Sequence, residues 1–381
     1  MILVKRAIEA QIEEAIGKNK VLLVLGTRRV GKTFLIRSLQ NKLEQPAISL
    51  NGEDFEVQEL LKNITAANYQ LIVGSAKLLI IDEAQAIPNI GKILKFMIDT
   101  IPTLTILATG SSSFDLLNEA GEPLTGRKIP FNLYPLSQLE LTGIETYVDA
   151  VQHLEERLIL GSYPELIQLT SYREKSEYLL ELIQSYLIKD ILAFEGIRQS
   201  DKIIRLLRLI AYQVGSEVSY NELATQLGMS KNTVENYLDL LSKVFILYRL
   251  PAYSTNHRKE ISKGSKWYFF DNGIRNAIIN DFKLLSLRND IGALWENYLI
   301  SERIKRNKYL KENVDYYFWR NYSQQEVDLL ELRDGKIHAF EFKYSPDKKV
   351  KVPAAFSTAY PEASFQRIAK DNYYSWITAT P

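Results

Sequence analysis

The sequence contains no cysteine, and this absence excludes three kinds of chemistry at once. Without thiols the chain can form no disulfide, no thiolate zinc site and no thiol nucleophile. Histidine is nearly as scarce, with three scattered residues, His153, His257 and His338, so we do not expect a histidine-based metal site. The chemistry of this chain therefore rests on other side chains.

The sequence also lacks an excess of charge of either sign and any long apolar run. It has 47 basic and 46 acidic residues, so global charge neither demands nor excludes a nucleic-acid partner. No apolar run approaches the length needed to span a bilayer. The N-terminal residues mix charged and apolar side chains at helical spacing, which is typical of an amphipathic helix and not of a signal peptide. We therefore expect a soluble cytoplasmic protein without a membrane partner.

The clearest pattern begins at residue 21. Five consecutive apolar residues, 21–25, predict a buried parallel strand, and helical spacing follows residue 33. Between them, Gly26–Thr33 fits G-x-x-x-x-G-K-[ST], a loop whose backbone N–H groups point at phosphates. Lys32 can reach the β- and γ-phosphates of a nucleoside triphosphate. The predicted contacts with ATP are Gly26, Thr27, Arg28, Arg29, Val30, Gly31, Lys32, Thr33 and Phe34.

A second apolar strand, residues 77–81, ends in the carboxylates Asp82 and Glu83. If this strand is parallel to the first, Asp82 lies beside Thr33 and the two can hold Mg²⁺. Glu83 then sits where a carboxylate orients or deprotonates the attacking water. The sequence thus predicts ATP and Mg²⁺ as cofactors, with hydrolysis of ATP to ADP.

A third strand, residues 104–109, leads into the hydroxyl-rich stretch that contains Ser111. These hydroxyls could contact the γ-phosphate or the attacking water, or they could cap the helix that begins near residue 114; both roles are open. Arg127 is a candidate for stabilising transition-state charge, in its own subunit or in a neighbour. The second case would require a homo-oligomer.

Four segments together resemble the AAA-type ATPase domain of a large prokaryotic family. They are Gly26–Thr33, Ile81–Gln85, Thr109–Ser112 and Leu124–Arg127 with the following Tyr134–Ser137. Members of that family are generally described only as ATP-binding proteins and carry a C-terminal domain of unknown function. The resemblance implies a five-stranded parallel sheet with helices on both faces. It also implies that Ser111 or Thr109 is the polar sensor and that Arg127 is an arginine finger.

Residues 219–243 have the pattern of a helix-turn-helix. Ser219 and Glu222 form a capping box, and Ser230 caps a second helix. A strand from residue 244 and a basic stretch at 257–266 would form a wing. The predicted DNA contacts are Lys231, Asn232, Arg258 and Lys259. Because winged helices also serve as protein-interaction modules, both kinds of partner are open.

The C-terminal segment predicts a long helix over 290–311 and then strands over 314–320, 326–332 and 337–343. The helix carries a basic face at 303–308. Two carboxylates and a lysine on paired strands can hold a metal ion and position a hydroxide for phosphodiester attack. The residues Glu296, Asp328, Glu341 and Lys343 resemble the signature of the PD-(D/E)xK nuclease core, with Val327 in place of its proline. The alternatives are an ordinary charged hairpin or a nuclease fold without activity.

The length of 381 residues is too great for one ordinary core. We predict an α/β P-loop NTPase domain of the AAA type at 1–145, a helical connector at 146–215, a winged helix-turn-helix at 216–265 and a small α+β nuclease-like domain at 266–381. The predicted function is Mg²⁺-dependent ATP hydrolysis that drives a DNA-processing C-terminal module. The alternative is a nucleotide-driven switch or scaffold that binds a protein partner and has no nuclease activity.

Overall fold

The structure is a computed structural model, and it describes residues 2–42, 46–110, 124–187, 200–254 and 264–380. The chain divides into two units. The N-terminal unit is Lys5–Tyr134 together with Lys243–Phe245, and the C-terminal unit is Pro135–Ser242 and Ile246–Pro381 with the first residues of the chain. No helix in the described ranges is long and apolar enough to cross a bilayer. The boundaries of the four domains expected from the sequence stay predictions.

The N-terminal unit is a parallel sheet with helices. Its helices are α1 (Glu9–Ala15), α2 (Lys32–Lys42), α3 (Phe55–Lys62), α4 (Ala66–Val73) and α5 (Ile90–Thr100). Its strands are β1 (Val21–Leu25), β2 (Ala47–Asn51), β3 (Leu78–Asp82), β4 (Thr105–Gly110) and β5 (Lys128–Asn132). All five pair in parallel in the order β2-β3-β4-β1-β5. This confirms the five-stranded parallel sheet.

Both faces of that sheet are buried, which explains why the strands read as continuous apolar runs. Leu23 and Ile81 pack in a core cluster with residues of α3, α4 and α5. Leu22 and Ile80 alternate with them, so they point to the opposite face, and they are buried too. Burial on both faces agrees with the helices on both faces that the family resemblance implies. Because the strands are parallel, the loops that follow them all emerge at one edge.

Three residues from late in the chain belong to the N-terminal unit. They are Lys243–Phe245, namely the last residue of the helix Lys231–Lys243 and the two residues that follow it. Phe245 has a positive φ of 60° and packs against the core of the N-terminal unit. Its ring meets that of Tyr134 edge to face, with centroids 5.8 Å apart. The core of the N-terminal unit is therefore completed by a segment more than a hundred positions downstream.

The C-terminal unit begins with a run of helices. They are α6 (Gln138–Leu141), α7 (Tyr147–Gln152), α8 (Leu154–Leu160), α9 (Tyr172–Leu182) and α10 (Ser200–Tyr212). A single π-helical turn, Ile183–Leu187, extends α9. Ser137, Thr146 and Ser171 each close a capping box at the start of a helix. Because each cap starts a new helix, the segment forms several short helices and not one long helix.

A helix-turn-helix with a small sheet follows. It comprises β6 (Glu217–Val218), α11 (Tyr220–Leu227), α12 (Lys231–Lys243), β7 (Leu247–Pro251) and β8 (Ser265–Phe269). Ser219 Oγ accepts a hydrogen bond from the Glu222 N–H at 3.3 Å, as the capping pattern predicts. The strands form an antiparallel sheet in the order β6-β8-β7. The helix-turn-helix and its small sheet are consistent with the predicted winged helix, which stays a prediction.

The last part of the unit consists of helices and a four-stranded sheet. Its elements are α13 (Asn272–Ile279), α14 (Ile291–Tyr309), β9 (Asp315–Arg320), β10 (Glu326–Arg333), β11 (Lys336–Phe342), α15 (Ala354–Ala359), β12 (Ser364–Ile368) and α16 (Tyr373–Thr378). The sheet order is β12-β11-β10-β9, antiparallel except for the β11–β12 pair. Asp334 and Gly335 have positive φ at the tip of the β10–β11 hairpin, as a two-residue primed turn requires.

The basic face expected on the long helix, residues 303–308, is not a surface. Three of its four cations are buried. Their partners are carboxylates of the same unit: Arg303 pairs with Glu331 at 2.7 Å, Lys305 with Glu302 at 2.8 Å and Arg306 with Glu312 at 2.7 Å. Of the four, Lys308 is the exposed one. The prediction that this helix presents a basic face to nucleic acid was wrong, because its charges are neutralised inside the unit.

Candidate functional site

The phosphate loop lies between β1 and α2 and needs glycine at two positions. A Cβ atom on Gly26 would come within 2.2 Å of the Leu133 carbonyl oxygen, so no larger residue fits there. Gly31 has φ of +95°, in the region that side chains other than glycine rarely adopt. Arg29 has a positive φ of 65° in the same loop. Turns of alternating hand make a concave row of N–H groups that suits an anion.

Lys32 begins α2 and lies over this loop. The side chain is only 5% exposed, and Nζ donates to the carbonyl oxygens of Gly26 at 3.0 Å and Thr27 at 3.1 Å. The contact of Lys32 with the phosphates of a nucleotide stays a prediction.

Thr33 and Asp82 meet at the edge of the sheet where β1 and β3 end. Thr33 Oγ1 donates to Asp82 Oδ2 at 2.8 Å. The two residues are 49 positions apart, so the contact depends on the parallel strand order and not on local sequence. A hydroxyl and a carboxylate are hard oxygen donors of the kind that Mg²⁺ prefers. The residues present fit this ion.

Glu83 and Thr109 complete the same edge. The Thr109 hydroxyl donates to Asp82, and its oxygen accepts a hydrogen bond from the Glu83 N–H at 3.0 Å. Glu83 itself has a positive φ of 50°, and Gln85 Nε2 donates to its carboxylate at 2.5 Å. Thr109, one of the two sensor candidates, thus fixes both carboxylate residues. Ser111, the other, lies outside the described residues.

Arg6 is a contributor that the sequence reasoning did not single out. Its side chain is 4% exposed; Nη1 donates to the Val30 carbonyl and Nη2 to the Tyr134 carbonyl, each at 2.6 Å. One guanidinium thus joins the phosphate loop to the chain that leaves β5. In the sequence Arg6 is one charge of an amphipathic pattern, and nothing local distinguishes it.

Arg127 lies at the wrong edge of the sheet for a role in its own site. Its carbonyl accepts from the Val21 N–H at the start of β1, whereas the phosphate loop follows Leu25 at the other end. The length of the strand, roughly 15 Å, separates the two. Its side chain pairs with Asp99 at 2.5 Å. The prediction that Arg127 acts as an arginine finger in its own subunit was wrong. That it acts on a neighbouring subunit stays a prediction.

The predicted DNA contacts are placed only in part. Lys231 and Asn232 lie exposed at the start of α12. Lys231 Nζ is 3.5 Å from Glu235 one turn further on. Arg258 and Lys259 lie outside the described residues. The described tip of the second helix therefore carries a lysine that already has a carboxylate neighbour.

The four nuclease-like residues converge in the C-terminal unit. Asp328 accepts a hydrogen bond from the Phe342 N–H at 2.7 Å, and Lys343 Nζ pairs with Glu341 at 2.7 Å. Burial raises the pKa of Asp328 well above its ordinary value, and the charges of Glu296 and Glu341 raise it further. The sequence prediction that these side chains share one place is consistent with this geometry. Their chemical role stays a prediction.

The structure adds Lys266 of β8 to this cluster. Its side chain is buried, its Nζ lies 3.4 Å from Glu296 Oε1, and it donates to Glu326. Tyr268 OH, two positions along the strand, donates to Glu296 at 2.5 Å. Within the part of the chain that the structure describes, no three acidic or histidine side chains are grouped so that they could hold a metal ion.

Comparison with known families gives three matches along the chain. Residues 18–142 match the model of the AAA domain. The rest of the chain matches two domains of unknown function, DUF8612 at residues 151–285 and DUF4143 at residues 291–375. The region that matches the AAA domain has the phosphate loop and the parallel α/β sheet described above, and the matches state no function for the two C-terminal domains.

Curated relatives cover most of the chain. An uncharacterized protein of Mycobacterium tuberculosis is 28% identical over 349 residues, which are 90% of this chain and 74% of the relative. An uncharacterized protein of Methanocaldococcus jannaschii is 26% identical over 356 residues, 87% of this chain and 76% of the relative. The similarity therefore extends across the AAA domain and the C-terminal unit together.

Solved structures show weaker likeness. A Walker-type ATPase of Pyrococcus abyssi has a TM-score of 0.46 and 18% identity, and covers 73% of this chain and 96% of its own. The ORC1 protein of Aeropyrum pernix, solved in complex with DNA, has a TM-score of 0.34 and 12% identity, and covers 74% of this chain and 93% of its own. Likeness at this level carries no argument about function.

Proposed function

We propose that the AAA domain binds ATP with Mg²⁺ and hydrolyses it to ADP and phosphate. The observation that carries this proposal is the 2.8 Å hydrogen bond between Thr33 Oγ1 and Asp82 Oδ2. It brings the ends of two motifs together at the edge where the phosphate loop lies. Neither motif alone would indicate a metal position, and the contact between the two supports one.

The residues at this edge of the sheet have different roles in the proposed reaction. Lys32 and the N–H groups of the loop neutralise the phosphate oxygens, and Thr33 and Asp82 hold the ion. Mg²⁺, when bound, supplies positive charge to the β- and γ-phosphate oxygens. Glu83 orients the attacking water and takes its proton, while Thr109 fixes the backbone of Glu83. This is catalysis by positioning and electrostatics.

The test is ATP binding and phosphate release with Mg²⁺, compared between the native chain and Lys32→Ala. We expect the native chain to bind and turn over ATP and the variant to lose both. Lys62→Ala is the matched control, since Lys62 is an exposed lysine of the same unit that pairs with Glu59. A native chain that binds no nucleotide, or a Lys32→Ala variant that binds as well as Lys62→Ala, would contradict the proposal.

For the C-terminal unit we propose the role of output module in a nucleotide-driven switch that binds a protein partner. The support is that several cations of this unit are paired with carboxylates. Arg303, Lys305 and Arg306 are buried in ion pairs, and Lys231 has Glu235 beside it. Cations committed to carboxylates have little charge left for phosphates, whose neutralisation supplies most non-specific DNA affinity.

A second candidate is metal-dependent DNA processing. The observation that favours it is the convergence of Glu296, Asp328, Glu341 and Lys343, whose charges act on one another. Two carboxylates and a lysine in one place are what phosphodiester cleavage requires.

One experiment separates these candidates. ATP turnover is measured with and without duplex DNA at low and moderate salt, and the integrity of the DNA is followed in the same samples. Turnover indifferent to DNA, with the DNA intact, supports the protein-partner switch. Salt-sensitive stimulation or nicking that disappears in Asp328→Ala would establish the DNA enzyme instead.

A further inference from the structure

Lys266 is the most unusual residue of the winged helix. It lies on β8 between residues that are all buried, and its own side chain is 1% exposed. An ammonium is costly to bury unless carboxylates and hydrogen bonds compensate the lost hydration. Its environment must therefore supply that compensation.

The compensation comes from the nuclease-like cluster. Nζ lies 3.4 Å from Glu296 Oε1 and donates to Glu326. It also lies 5.3 Å from the centre of the Phe318 ring. Two carboxylates therefore face the Lys266 ammonium, and one of them, Glu296, belongs to the set that a metal ion would need.

The two demands on these carboxylates compete. A divalent ion needs carboxylate oxygens at about 2.0–2.6 Å with their lone pairs free. Here Glu296 accepts hydrogen bonds from Lys266 and Tyr268, and Glu341 accepts from Lys343. A buried ammonium beside the ion would add repulsion between like charges in a poorly screened place. The cluster already contains its own cations.

We propose that the Lys266 ammonium is the resident cation of this cluster and takes the place of a metal ion. Glu296 of α14 and Glu326 of β10 then serve to fasten the β8 strand of the winged helix to the C-terminal sheet. This assignment goes beyond the ATPase proposal and depends on no step of it. It implies that the cluster of the native chain binds no divalent metal.

The test counts Mn²⁺ bound to the nucleotide-free full chain, using electron paramagnetic resonance of the free ion. We expect the native chain and Asp328→Asn to bind the same amount, so that the cluster contributes no site. Lys266→Gln removes the resident charge and should gain one Mn²⁺ per chain, and Lys266→Gln with Asp328→Asn should lose that gain. Lys266→Arg keeps the charge and should gain nothing.

Lys305→Gln is the matched control, because Lys305 is as buried as Lys266 and pairs with a single carboxylate, Glu302. It should gain no Mn²⁺. Two results would overturn the proposal: a native Mn²⁺ site that Asp328→Asn abolishes, or a folded Lys266→Gln variant without any gain. Folding is checked by circular dichroism, and if Lys266→Gln does not fold, the comparison of the native chain with Asp328→Asn decides alone.

Discussion

Two groups of carboxylates in this chain differ in what they are bonded to. In the AAA domain, Asp82 is bonded to the hydroxyls of Thr33 and Thr109. In the C-terminal cluster, Glu296 and Glu341 are bonded to the ammonium groups of Lys266 and Lys343. A neutral partner donates a hydrogen bond to the carboxylate and leaves its negative charge available. A cationic partner donates a hydrogen bond and also neutralises that charge.

The difference teaches how to read an acidic cluster. The number of carboxylates and their spacing do not decide whether a metal ion can join them, because the charge that remains depends on their partners. Hydroxyl partners can become co-ligands of an incoming ion, as Thr33 is placed to do. Ammonium partners must first leave.

The largest effect should come from Glu83, the carboxylate that we propose orients the attacking water. Glu83→Gln keeps the shape of the side chain and removes its basicity, so turnover should fall by roughly 10³-fold, about 4 kcal/mol in the barrier. Binding of ATP should stay within about twofold. Steady-state turnover and nucleotide titration check this, with Glu59→Gln as the exposed control. Equal turnover in both variants would remove Glu83 from the mechanism.

The contribution of a carboxylate with cationic partners to stability can be tested at Glu331, which is fully buried. It accepts from Arg303 at 2.7 Å and 3.0 Å and also from Arg333. Glu331→Gln should destabilise the C-terminal unit by about 3 kcal/mol, because it leaves the buried guanidinium of Arg303 without its countercharge. Urea denaturation followed by tryptophan fluorescence measures this unit selectively, since all four tryptophans, at positions 267, 295, 319 and 376, lie in it.

The same pair gives a pH dependence. Burial raises the pKa of Glu331, but Arg303 and Arg333 outweigh this and hold it below its ordinary value of 4.5. A carboxyl whose pKa is lower in the folded state stabilises fully above 4.5 and loses that contribution as the pH falls through the lowered pKa. The difference in stability between the native chain and Glu331→Gln should therefore shrink below about pH 4.5. A constant difference down to pH 3 would contradict the pairing.

A smaller effect is expected where a neutral partner is removed from the AAA domain. Thr109→Val deletes the hydroxyl that bonds Asp82 and the Glu83 N–H, so turnover should fall roughly tenfold with ATP binding nearly unchanged. Thr109→Ser restores the hydroxyl and should recover most of the rate. If the serine variant is as slow as the valine variant, packing and not hydrogen bonding explains the loss.

The smallest effect is expected at Arg127. Because it lies at the opposite edge of the sheet, Arg127→Ala should change turnover by less than about twofold in dilute protein. Measurements over a range of protein concentrations sharpen this. A loss that grows with concentration would mean that the arginine acts on a neighbouring subunit.

Much of the AAA domain was predictable because its signals are local. About ten residues of sequence are enough to predict each of three elements, the loop at 26–33 and the strands at 21–25 and 78–82. What the sequence did not give was the strand order, and with it the position of Arg127. A residue at the start of a parallel strand is remote from the loops that follow the strands, and this is known only when the pairing is known.

The C-terminal unit was harder for the same reason. Lys266 reads as the polar start of an aromatic strand, and its carboxylate partners lie 30 and 60 positions away. Arg303 reads as part of a solvated face, yet its partner Glu331 lies 28 positions away. Long charged side chains look alike in a sequence whether they are solvated or paired in the interior.

The short return of Lys243–Phe245 to the N-terminal unit has a practical consequence. A gene fragment that stops after residue 134 or 145 encodes every strand of the AAA domain but omits Phe245, which packs against Tyr134 and the core. Such a fragment would expose an aromatic patch and invite aggregation. Expression of the AAA domain alone should instead graft residues 243–245 onto the end of the fragment through a flexible linker.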